Sequence, residues 1–453
     1  MRILFLVALT GTFLLVPFAR DTFAQTREDY WPTWRGPNAD GVAPKGNPPI
    51  TWSETENIKW KVKLPDSGES TPIIWGNRIF LQTAVPIDEE PTEGFSEAHP
   101  EKDRHQQPRA AKNTVPWRFG LLCLDRETGE TIWDKAAIVQ VPHARHHATG
   151  SHSAFSPVTD GERVWASFGS QGLYCFDVEG NRLWEAELPL MQKYNEFGEG
   201  ASPAIAGDKV IVVQDHMGES AIFAFDKRTG ELAWKQDRGT GHSAWPTPLP
   251  ISVDGKIQVV VPGNKEMKAY DAASGDVIWS CKVSQTGTVP SPVTGNGNVY
   301  YMCGHPGTSV MAIQLGRTGE LTGTDAIRWE VTRGAPYVTS PLLYEDRFYF
   351  LKKYRGAISS YDAITGNALF AEEKMDGMKQ SYASPVAADG RIYVADRKGT
   401  VTVLKHGDTF EVLATNTLDE GFDASPAIVG GELYLRGENH LYCIAETSGS
   451  ESN

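Results

Sequence analysis

Four histidines within ten residues are the first feature of this sequence that could support metal chemistry. They lie in the polar stretch VPHARHHATGSHSAF, residues 141–155, as His143, His146, His147 and His152. A zinc site needs three or four ligands that converge on one point. The HARHH spacing matches no specific zinc motif, and a loop lacks the helical spacing that would align the imidazoles. We therefore predict solvated or hydrogen-bonded loop histidines and no metal site, with these four as weak candidates.

A second group of candidates combines carboxylates with a histidine in two loops. The stretches NEFGEGASP and QDHMGES contain Glu199, Asp215 and His216. Such residues could hold a small ligand or a cation if the fold brings the loops together. Polar side chains also line the channels of repeat proteins for structural reasons, so both interpretations stay open. Equivalent loop positions of later repeats supply further ligand-binding candidates: Arg355, Tyr382, Arg397, Lys398, Asp423 and Asn439.

These loops must be positioned by a repeated pair of strands. The stretch AFDKRTGELAW, residues 224–234, has close copies in CLDRETGETIW, CFDVEGNRLW, AYDAASGDVIW and SYDAITGNALF. Alternating apolar residues, then an Asp, a Gly and an aromatic residue, are the pattern of a β-hairpin. The Asp accepts hydrogen bonds from turn amides, and the Gly adopts the positive φ of a tight turn. We predict that one aromatic residue per repeat docks neighbouring repeats: Trp60, Trp133, Trp184, Trp234, Trp279 and Trp329.

A Ser-Pro or Thr-Pro dipeptide recurs eight times and marks the start of each repeat. Between marks the sequence encodes four short strands, as in ASPAIAG, DKVIVVQ, SAIFAFD and ELAWKQD. Four strands in about 40–50 residues are the signature of a β-propeller blade. The eighth repeat lacks its last strand, whereas NIKWKVKL, residues 57–64, precedes the first mark. We therefore predict an all-β, eight-bladed β-propeller of four-stranded blades, closed by pairing of the N-terminal strand into the last blade.

Strand direction decides which loops share a face of this propeller. If the first strand of each blade lies along the channel, the loops after the second and fourth strands lie on one face. The polar insertion of residues 86–116 follows a second strand, and the histidine stretch follows a fourth strand. Repeat proteins concentrate insertions on binding faces because the scaffold tolerates them there. We predict that a protein partner or a small ligand binds this insertion-bearing face. The alternative is that the insertions have no role in binding.

Composition and charge narrow the class of protein. The 453 residues carry 43 basic and 57 acidic side chains, for a net charge of −14, and 44 Gly and 28 Pro indicate a turn-rich folded chain. An acidic chain without a Lys/Arg cluster is unsuited to nucleic acid, whose binding depends on neutralised phosphates. Arg2 and the apolar residues 3–18 predict a signal peptide and export to the periplasm, envelope or extracellular space. An uncleaved anchor stays open, and no transmembrane segment is predicted in the mature chain.

The predicted organisation is one propeller domain with short flanks. A signal peptide over residues 1–24 precedes an N-terminal segment at 25–56, the propeller at 57–445 and a flexible tail at 446–453. Five cysteines are an odd number for an exported chain, and Cys123, Cys175 and Cys443 fall at the same strand position of three repeats. We interpret these three as buried packing residues rather than as parts of a disulfide framework.

The D-x-x-x-G-x-x-x-W hairpins, the Ser-Pro marks and a period near 44 residues resemble the pyrroloquinoline-quinone-like (PQQ-like) propeller repeats. The resemblance covers roughly residues 30–445, and the opening YWPTWRGPNADGV is similar to that of secreted bacterial members. Such repeats occur in BamB-like assembly factors and in quinone-dependent dehydrogenases. The resemblance therefore implies two functions of different classes.

The first implied function is a non-catalytic binding or scaffold propeller, for which no cofactor is expected. The alternative is a PQQ-dependent dehydrogenase that holds the quinone and Ca²⁺ at the channel mouth. The alcohol dehydrogenases of that branch use two adjacent cysteines, whereas the closest pair here, Cys281 and Cys303, is 22 residues apart. Glycan recognition by a loop aromatic such as Trp245 is a third alternative. We expect the binding propeller and assign no catalytic residue, since the fold alone does not decide function.

Overall fold

Eight separate β-sheets make up nearly all the regular structure of the chain. A computed structural model describes residues 26–87, 115–263, 265–283, 288–305, 307–352 and 355–447. Within these ranges the only helices are single 3-10 turns at Arg27–Asp29, Gly169–Gln171 and Tyr194–Glu196. The predicted signal peptide, most of the predicted insertion and residues 448–453 of the predicted tail lie outside the described residues.

Each sheet is one blade, and its strands follow one another from the channel to the rim. The first strand of the chain is β1 (Ile58–Lys63). The first four blades then contain these strands: β2 (Ile73–Trp75), β3 (Arg78–Pro86), β4 (Trp117–Asp125) and β5 (Thr131–Gln140); β6 (Val158–Thr159), β7 (Arg163–Ser167), β8 (Leu173–Asp177) and β9 (Arg182–Ala186); β10 (Ala204–Ala206), β11 (Lys209–Gln214), β12 (Ser220–Asp226) and β13 (Leu232–Gly239); β14 (Leu249–Val253), β15 (Lys256–Pro262), β16 (Glu266–Asp271) and β17 (Val277–Lys282).

The last four blades repeat the same order. Their strands are β18 (Val293–Gly295), β19 (Asn298–Cys303), β20 (Ser309–Gln314) and β22 (Ile327–Val331), with β21 (Gly319–Glu320) inserted; β23 (Leu342–Tyr344), β24 (Arg347–Leu351), β25 (Ala357–Asp362) and β26 (Ala368–Lys374); β27 (Val386–Ala388), β28 (Arg391–Ala395), β29 (Thr400–Lys405) and β30 (Val412–Thr417); β31 (Ala427–Val429), β32 (Glu432–Arg436) and β33 (His440–Ile444). The predicted all-β, eight-bladed propeller is therefore confirmed.

The ring closes through the N-terminal strand, as the sequence predicted. Strand β1 pairs antiparallel with β33, with Trp60 opposite Cys443 and Val62 opposite Leu441. It becomes the outermost strand of the eighth blade. Because no hairpin joins β1 to β33, this closure rests on hydrogen bonds and packing alone.

The repeated hairpin turn both closes a blade and receives the tryptophan of the preceding blade. In blade three, the Asp226 carboxylate accepts hydrogen bonds from the N–H groups of Arg228 and Thr229, at 2.8 and 3.0 Å. Trp184 of blade two donates its indole N–H to the carbonyl of Lys227, at 3.3 Å. The same bond to the residue after the turn Asp recurs at four junctions: Trp60 to Arg126, Trp133 to Val178, Trp234 to Ala272 and Trp329 to Ala363.

The turn glycine is required for this docking as well as for the turn. Gly230 has a φ of +76°, and a Cβ placed on it would lie 2.6 Å from the Trp184 ring. Gly255 has almost the same φ, +77°, but a Cβ there would meet nothing within 4 Å. Both glycines are needed for the positive φ of their turns, but only Gly230 is also needed for the close approach of the Trp184 ring.

We expect Gly230→Ala to destabilise the protein clearly more than Gly255→Ala. Both variants force a side chain into the left-handed region, which costs about 1–2 kcal/mol. Only Gly230→Ala also overpacks the Trp184 contact, which adds about 1–3 kcal/mol. Urea unfolding of both variants measures the difference, and equal losses of stability would contradict a docking role for the glycine.

The fifth blade has four strands but lacks this turn, and the segment in its place adds a short strand to blade four. Its sequence QLGRTGELTGTDAIRW has no Asp-x-x-x-Gly turn. Instead β21 pairs in parallel with the outer strand β17, giving blade four a fifth strand. Trp279 is buried in one cluster with Leu321, and within the described ranges its indole N–H has no hydrogen-bond partner. The segment that contains β21 therefore packs against Trp279 through apolar contacts, where other blades form a hydrogen bond to the tryptophan. It also covers the outer edge of blade four.

The N-terminal segment crosses the channel end opposite the insertion-bearing face. It pairs with blade one at Trp31, where the backbone bonds to Ile74, and the Pro32 carbonyl accepts the N–H of Thr159 in blade two. It then bonds to Ala387 of blade seven through Gly41 and Ala43, and to Gly430 of blade eight through Asn47. The N-terminal segment therefore spans this end of the channel, a feature that the sequence analysis did not predict.

Arg35 extends from this segment into the channel. Its guanidinium donates to the carbonyls of Pro341 and Pro385, at 3.0 and 2.8 Å, and the side chain belongs to a residue only 3 % exposed. Burial lowers the pKa of Arg35 to about 10, opposed by the charge of Asp40. The guanidinium therefore joins the first strands of blades six and seven from inside the ring.

Candidate functional site

The Ser-Pro and Thr-Pro marks form a hydrogen-bonded ring around the channel. In each case a backbone N–H donates to the hydroxyl of the equivalent residue in the next blade, as from Ser156 to Ser202 at 2.9 Å. Six further junctions repeat the bond: Thr71 to Ser156, Ser202 to Thr247, Thr247 to Ser291, Ser291 to Ser340, Ser340 to Ser384 and Ser384 to Ser425. In the described structure the hydroxyl of Thr71 has no partner. The ring is thus interrupted where blade eight meets blade one.

A buried ion pair fills the interruption. Arg436 is fully buried and donates to the Asp66 carboxylate at 2.6 Å. Its guanidinium also donates to the carbonyls of Ser70 and Gln82, both at 3.0 Å. The second oxygen of Asp66 accepts the hydroxyl of Ser153 at 2.7 Å and so connects blade one to the histidine stretch. A multiply bonded buried pair of this kind fixes the blade junction rather than leaving a charge available for a ligand.

Glu69 stands at the channel mouth next to this pair and was not predicted as a site residue. Its carboxylate accepts the hydroxyl of Ser151. Burial raises the pKa of Glu69 to about 7, the nearby charge of Asp423 raises it further, and the Ser151 bond and Arg436 oppose the shift. Near neutral pH Glu69 is therefore divided between its charged and neutral forms.

Three predicted residues meet beside Glu69. Arg397 donates to both oxygens of the Asp423 carboxylate, at 2.6 and 2.8 Å. The same guanidinium lies over the Tyr382 ring, 4.2 Å from its centroid. Burial raises the pKa of Asp423, and Arg397 opposes this. The three residues thus form a stacked ion pair joining blades seven and eight, in which the carboxylate is already engaged.

The other three candidates from the later blades do not join this group. Arg355, Lys398 and Asn439 are all exposed. Lys398 and Asn439 contribute backbone N–H groups to Asp396 and Glu420, both at 2.8 Å, and Arg355 contributes backbone bonds within its loop. Loop positions that are equivalent in the repeat therefore do not all lie in one site.

The predicted cluster of Glu199, Asp215 and His216 is not a free ligand site. Both oxygens of Asp215 bond to the Arg238 guanidinium, at 2.7 and 2.8 Å, and both side chains are buried. The His216 ring accepts the N–H of Gln192 at 3.1 Å and bonds to the carbonyl of Glu219. Arg238, a residue of the outer strand of blade three, thus pairs with the Asp215 carboxylate that the sequence analysis proposed as part of a polar cluster.

Glu199 is likewise engaged, by the 3-10 turn Gly169–Gln171 of blade two. It accepts the N–H and the hydroxyl of Ser170, at 2.7 and 2.5 Å. Gly169 makes this possible, because a Cβ there would lie 1.9 Å from the carboxylate. His143 approaches the other side, with its Nε2 3.8 Å from Glu199 and 2.8 Å from the Met191 carbonyl. A cavity of about 20 Å³ beside these residues has room for roughly one water molecule.

The four histidines do not converge on one point. His146 and His147 bond locally, to the His147 carbonyl at 2.9 Å and to the Thr149 hydroxyl at 2.8 Å. His152 packs edge-on against Trp117, with 4.7 Å between ring centroids. Burial, then the neighbouring His146 and His143, lower the pKa of His152 to about 3. No group of three or more His, Cys, Asp or Glu in the described ranges is arranged to hold a metal ion.

A buried lysine, also missed from the sequence, supports this part of the face. Lys193 is 5 % exposed and donates to the carbonyls of Asp215 and Ala244, at 2.8 and 2.9 Å. Its ammonium lies 5.0 Å from the ring centroid of Trp245, whose own N–H bonds to the Gly198 carbonyl. Burial lowers the pKa of Lys193 to about 8, opposed by the charges of Glu199 and Asp215.

This lysine predicts a specific pH dependence of stability. With a folded pKa near 8 and an ordinary unfolded value near 10.5, the unfolded chain holds more protons between these values. The free energy of unfolding should therefore rise across pH 8–10.5, by up to about 3 kcal/mol relative to Lys193→Met. Urea unfolding at several pH values measures the slope. Lys405→Met, at an exposed lysine, should keep the slope of the unmodified protein, and an unchanged slope in Lys193→Met would contradict the assignment.

Above Lys193 the chain displays two aromatic side chains. Tyr194 is 52 % exposed and Phe197 39 % exposed, with 6.0 Å between their ring centroids. Between them Asn195 and Glu196 have positive φ values of 50° and 53°. Two consecutive left-handed residues other than glycine persist only where the surrounding structure holds them. We call residues 188–200 the aromatic loop.

The base of the aromatic loop is fixed by hydrogen bonds on both sides of its tip. The N–H of Met191 donates to the Ser170 hydroxyl at 2.8 Å, and that of Tyr194 donates to the Ser243 hydroxyl at 2.9 Å. Phe197 contacts His147 and Trp245, with centroid distances of 5.5 and 6.5 Å. The loop therefore presents exposed aromatic surface from a rigid base, on the insertion-bearing face.

The assembly-factor relatives match a large part of this chain. The family model described as outer membrane protein assembly factor BamB matches residues 118–324. The protein of that name from Burkholderia pseudomallei is 23% identical over 322 residues, which are 69% of this chain and 75% of the relative. Its name assigns it to outer-membrane-protein assembly.

Solved propellers share the fold. BamB from Moraxella catarrhalis has a TM-score of 0.51 at 15% identity and covers 85% of this chain and 98% of its own. The quinohemoprotein alcohol dehydrogenase from Comamonas testosteroni has a TM-score of 0.60 at 11% identity, over 93% and 82% of the two chains. The eight blades and these solved structures show a β-propeller fold. The hairpin repeats and the match over residues 118–324 make the chain similar to the PQQ-like, BamB-like propellers that its sequence resembles.

The residues at the channel mouth do not fit a quinone held by Ca²⁺. Calcium takes six to eight oxygen ligands. The carboxylates at this mouth already have partners: Asp215 pairs with Arg238, Asp423 with Arg397, Glu199 with Ser170 and Glu69 with Ser151. The five cysteines are all buried and unpaired. As for the membrane, no helix within the described ranges is long and apolar enough to cross one.

Proposed function

We propose that this chain is an exported, non-catalytic binding propeller that docks a protein partner through the aromatic loop on its insertion-bearing face. The observation that carries the proposal is the exposed pair Tyr194 and Phe197, held above the buried Lys193. Aromatic side chains on a rigid base bury large apolar areas with little loss of conformational entropy. Protein interfaces concentrate their binding energy in such anchors.

The charges around the loop favour a partner rather than a reaction at the channel mouth. Asp215 is paired with Arg238 within blade three, and Asp423 is paired with Arg397 at the junction of blades seven and eight. Unpaired, correctly placed groups would be needed for acid–base work or for a metal-held cofactor. We therefore propose that the protein needs no cofactor.

The relatives support the same class of function. A curated relative with 75% of its length matched is named as an outer-membrane-protein assembly factor. The predicted signal peptide agrees with a location in the periplasm or envelope. The likeness to an alcohol dehydrogenase extends to the fold alone.

Site-specific photo-crosslinking in the native host tests this proposal. The photoreactive residue p-benzoylphenylalanine replaces Tyr194 or Phe197 in the full-length chain, and the irradiated adducts are identified by mass spectrometry. Leu232 is the matched control, because it is 53 % exposed and lies on the outer strand of blade three, away from the face. We expect one protein adduct shared by positions 194 and 197 and absent from position 232.

Alanine variants then measure the contribution of the aromatic pair. In the purified complex, Phe197→Ala should weaken binding of the captured protein by about thirtyfold, corresponding to about 2 kcal/mol. The free energy of unfolding should fall less than for a core aromatic residue, because the Phe197 side chain is 39 % exposed. Adducts that are equally abundant at all three positions, or undiminished affinity, would refute docking by the aromatic loop.

A further inference from the structure

A second pocket of the described structure lies at the opposite end of the channel. It has a volume of about 330 Å³ and lies between the N-terminal segment and the turns that follow the first strands of blades five and six. Volumes of this order suit small-molecule sites. This pocket is remote from the aromatic loop, so what it binds is independent of the function proposed above.

One carboxylate in this pocket lacks a charged partner. The Asp40 carboxylate accepts the N–H of Val42 at 2.9 Å and a backbone hydrogen bond from Asp40 itself, and no ion pair to it is found among the described residues. The neighbouring Arg35 bonds instead to the Asp40 backbone carbonyl at 3.3 Å and to two carbonyls inside the channel. Burial raises the pKa of Asp40 to about 6, opposed by the Val42 bond and by Arg35. A partly buried carboxylate without an ion pair is stabilised by an incoming cation.

The remaining lining residues define what else the ligand must carry. Val42, Pro44 and Leu343 supply apolar wall. Tyr344 also lines the pocket, and its ring packs against His406 with 4.5 Å between centroids. Glu345 adds a second carboxylate at the rim, where its side chain is 65% exposed and lies 3.2 Å from the ring of His406. The walls thus match a short aliphatic stem, and the charge matches a cation at its end.

We propose that this pocket binds a primary alkylammonium group, with the ammonium at Asp40 and the aliphatic stem against Val42, Pro44 and Leu343. A free alkylamine and a lysine side chain both carry this group. Arg35 stays behind the carboxylate and keeps it ordered through the Asp40 carbonyl, while the two channel bonds hold the guanidinium away from the pocket.

Ligand-observed NMR titration with n-butylammonium tests the proposal, with 1-butanol as the neutral probe of similar shape. Asp40→Asn removes the charge and keeps the oxygen that accepts the Val42 N–H. Asp254→Asn is the control for the same substitution outside the pocket, because Asp254 lies in the turn after the first strand of blade four and does not line the pocket. We expect millimolar binding of n-butylammonium to the unmodified chain and to Asp254→Asn, and at least tenfold weaker binding to Asp40→Asn.

The neutral probe keeps the test valid even if Asp40→Asn does not fold. Binding of 1-butanol to the unmodified chain should also be at least tenfold weaker than that of n-butylammonium. Equal binding of both probes, or unchanged affinity in a folded Asp40→Asn, would overturn the proposal. Blocked lysine distinguishes the two sources: tighter binding than n-butylammonium assigns the pocket to a lysine side chain, and weaker binding assigns it to a free amine.

Discussion

Replacing Arg436 with methionine should lower the free energy of unfolding by about 3–5 kcal/mol, because it leaves the buried Asp66 carboxylate uncompensated. The carbonyls of Ser70 and Gln82 lose their donor in the same variant. Arg436 occupies the place where the ring of hydroxyl bonds is interrupted, so the loss falls on the junction of blades eight and one. Urea unfolding followed by tryptophan fluorescence measures it.

A second substitution separates the buried charge from lost packing. Adding Asp66→Asn to Arg436→Met should restore about 1–2 kcal/mol, since a neutral amide replaces the unpaired charge. Arg397→Met provides the comparison, because the Arg397–Asp423 pair is more exposed, at 19% and 22%. It should lose clearly less stability than Arg436→Met. Equal losses of stability in Arg436→Met and Arg397→Met would show that burial of an ion pair does not determine its contribution to the free energy of unfolding.

Trp60→Ala should also cost about 3–5 kcal/mol and should release the closing strand. The Trp60 side chain packs against Tyr434 of blade eight and donates to the Arg126 carbonyl of blade one, at 3.0 Å. Because no hairpin connects β1 to β33, lost side-chain contacts there are not compensated by a covalent turn. We expect faster hydrogen exchange throughout β33 as well as lower stability.

Trp329→Ala is the control for this effect. Trp329 makes the equivalent bond to Ala363, at 3.0 Å, but its strand is tied to the preceding strand by a continuous segment of chain. This variant should lose stability with exchange increasing locally in blades five and six. If β33 exchanges as slowly in Trp60→Ala as in the unmodified protein, the N-terminal strand does not control closure.

The architecture could be predicted because most blades repeat the same hairpin turn and the same tryptophan contact. The Asp226 turn and the Trp184 indole use contacts that recur at one spacing, so the hairpin sequence contains most of their geometry. The missing eighth outer strand could be located by counting alone. In the fifth blade the segment QLGRTGELTG replaces the usual hairpin turn, and this difference can be seen in the sequence. The pairing of β21 with β17 could not be predicted from it.

The partners of the site residues could not be predicted, because they are chosen between blades and across strands. Asp215 is paired with Arg238, 23 residues away, and Arg436 with Asp66, 370 residues away. Nothing in the repeat distinguishes these arginines from exposed ones. Lys193 stands in a loop without periodicity, and only the fold shows that two carbonyls and Trp245 surround it. The position of the N-terminal segment across one end of the channel could not be predicted from the sequence either.

Titration calorimetry with pyrroloquinoline quinone and Ca²⁺ tests most directly whether the channel mouth is a set of satisfied structural pairs or a cofactor centre. The chain from residue 25 would be titrated, and alcohol-dependent dye reduction would be followed in the same preparation. With Asp215, Asp423 and Glu199 engaged as described, we expect no heat beyond dilution and no dye reduction. Tight binding accompanied by turnover would contradict the binding-propeller function and would make these three carboxylates the first targets for substitution.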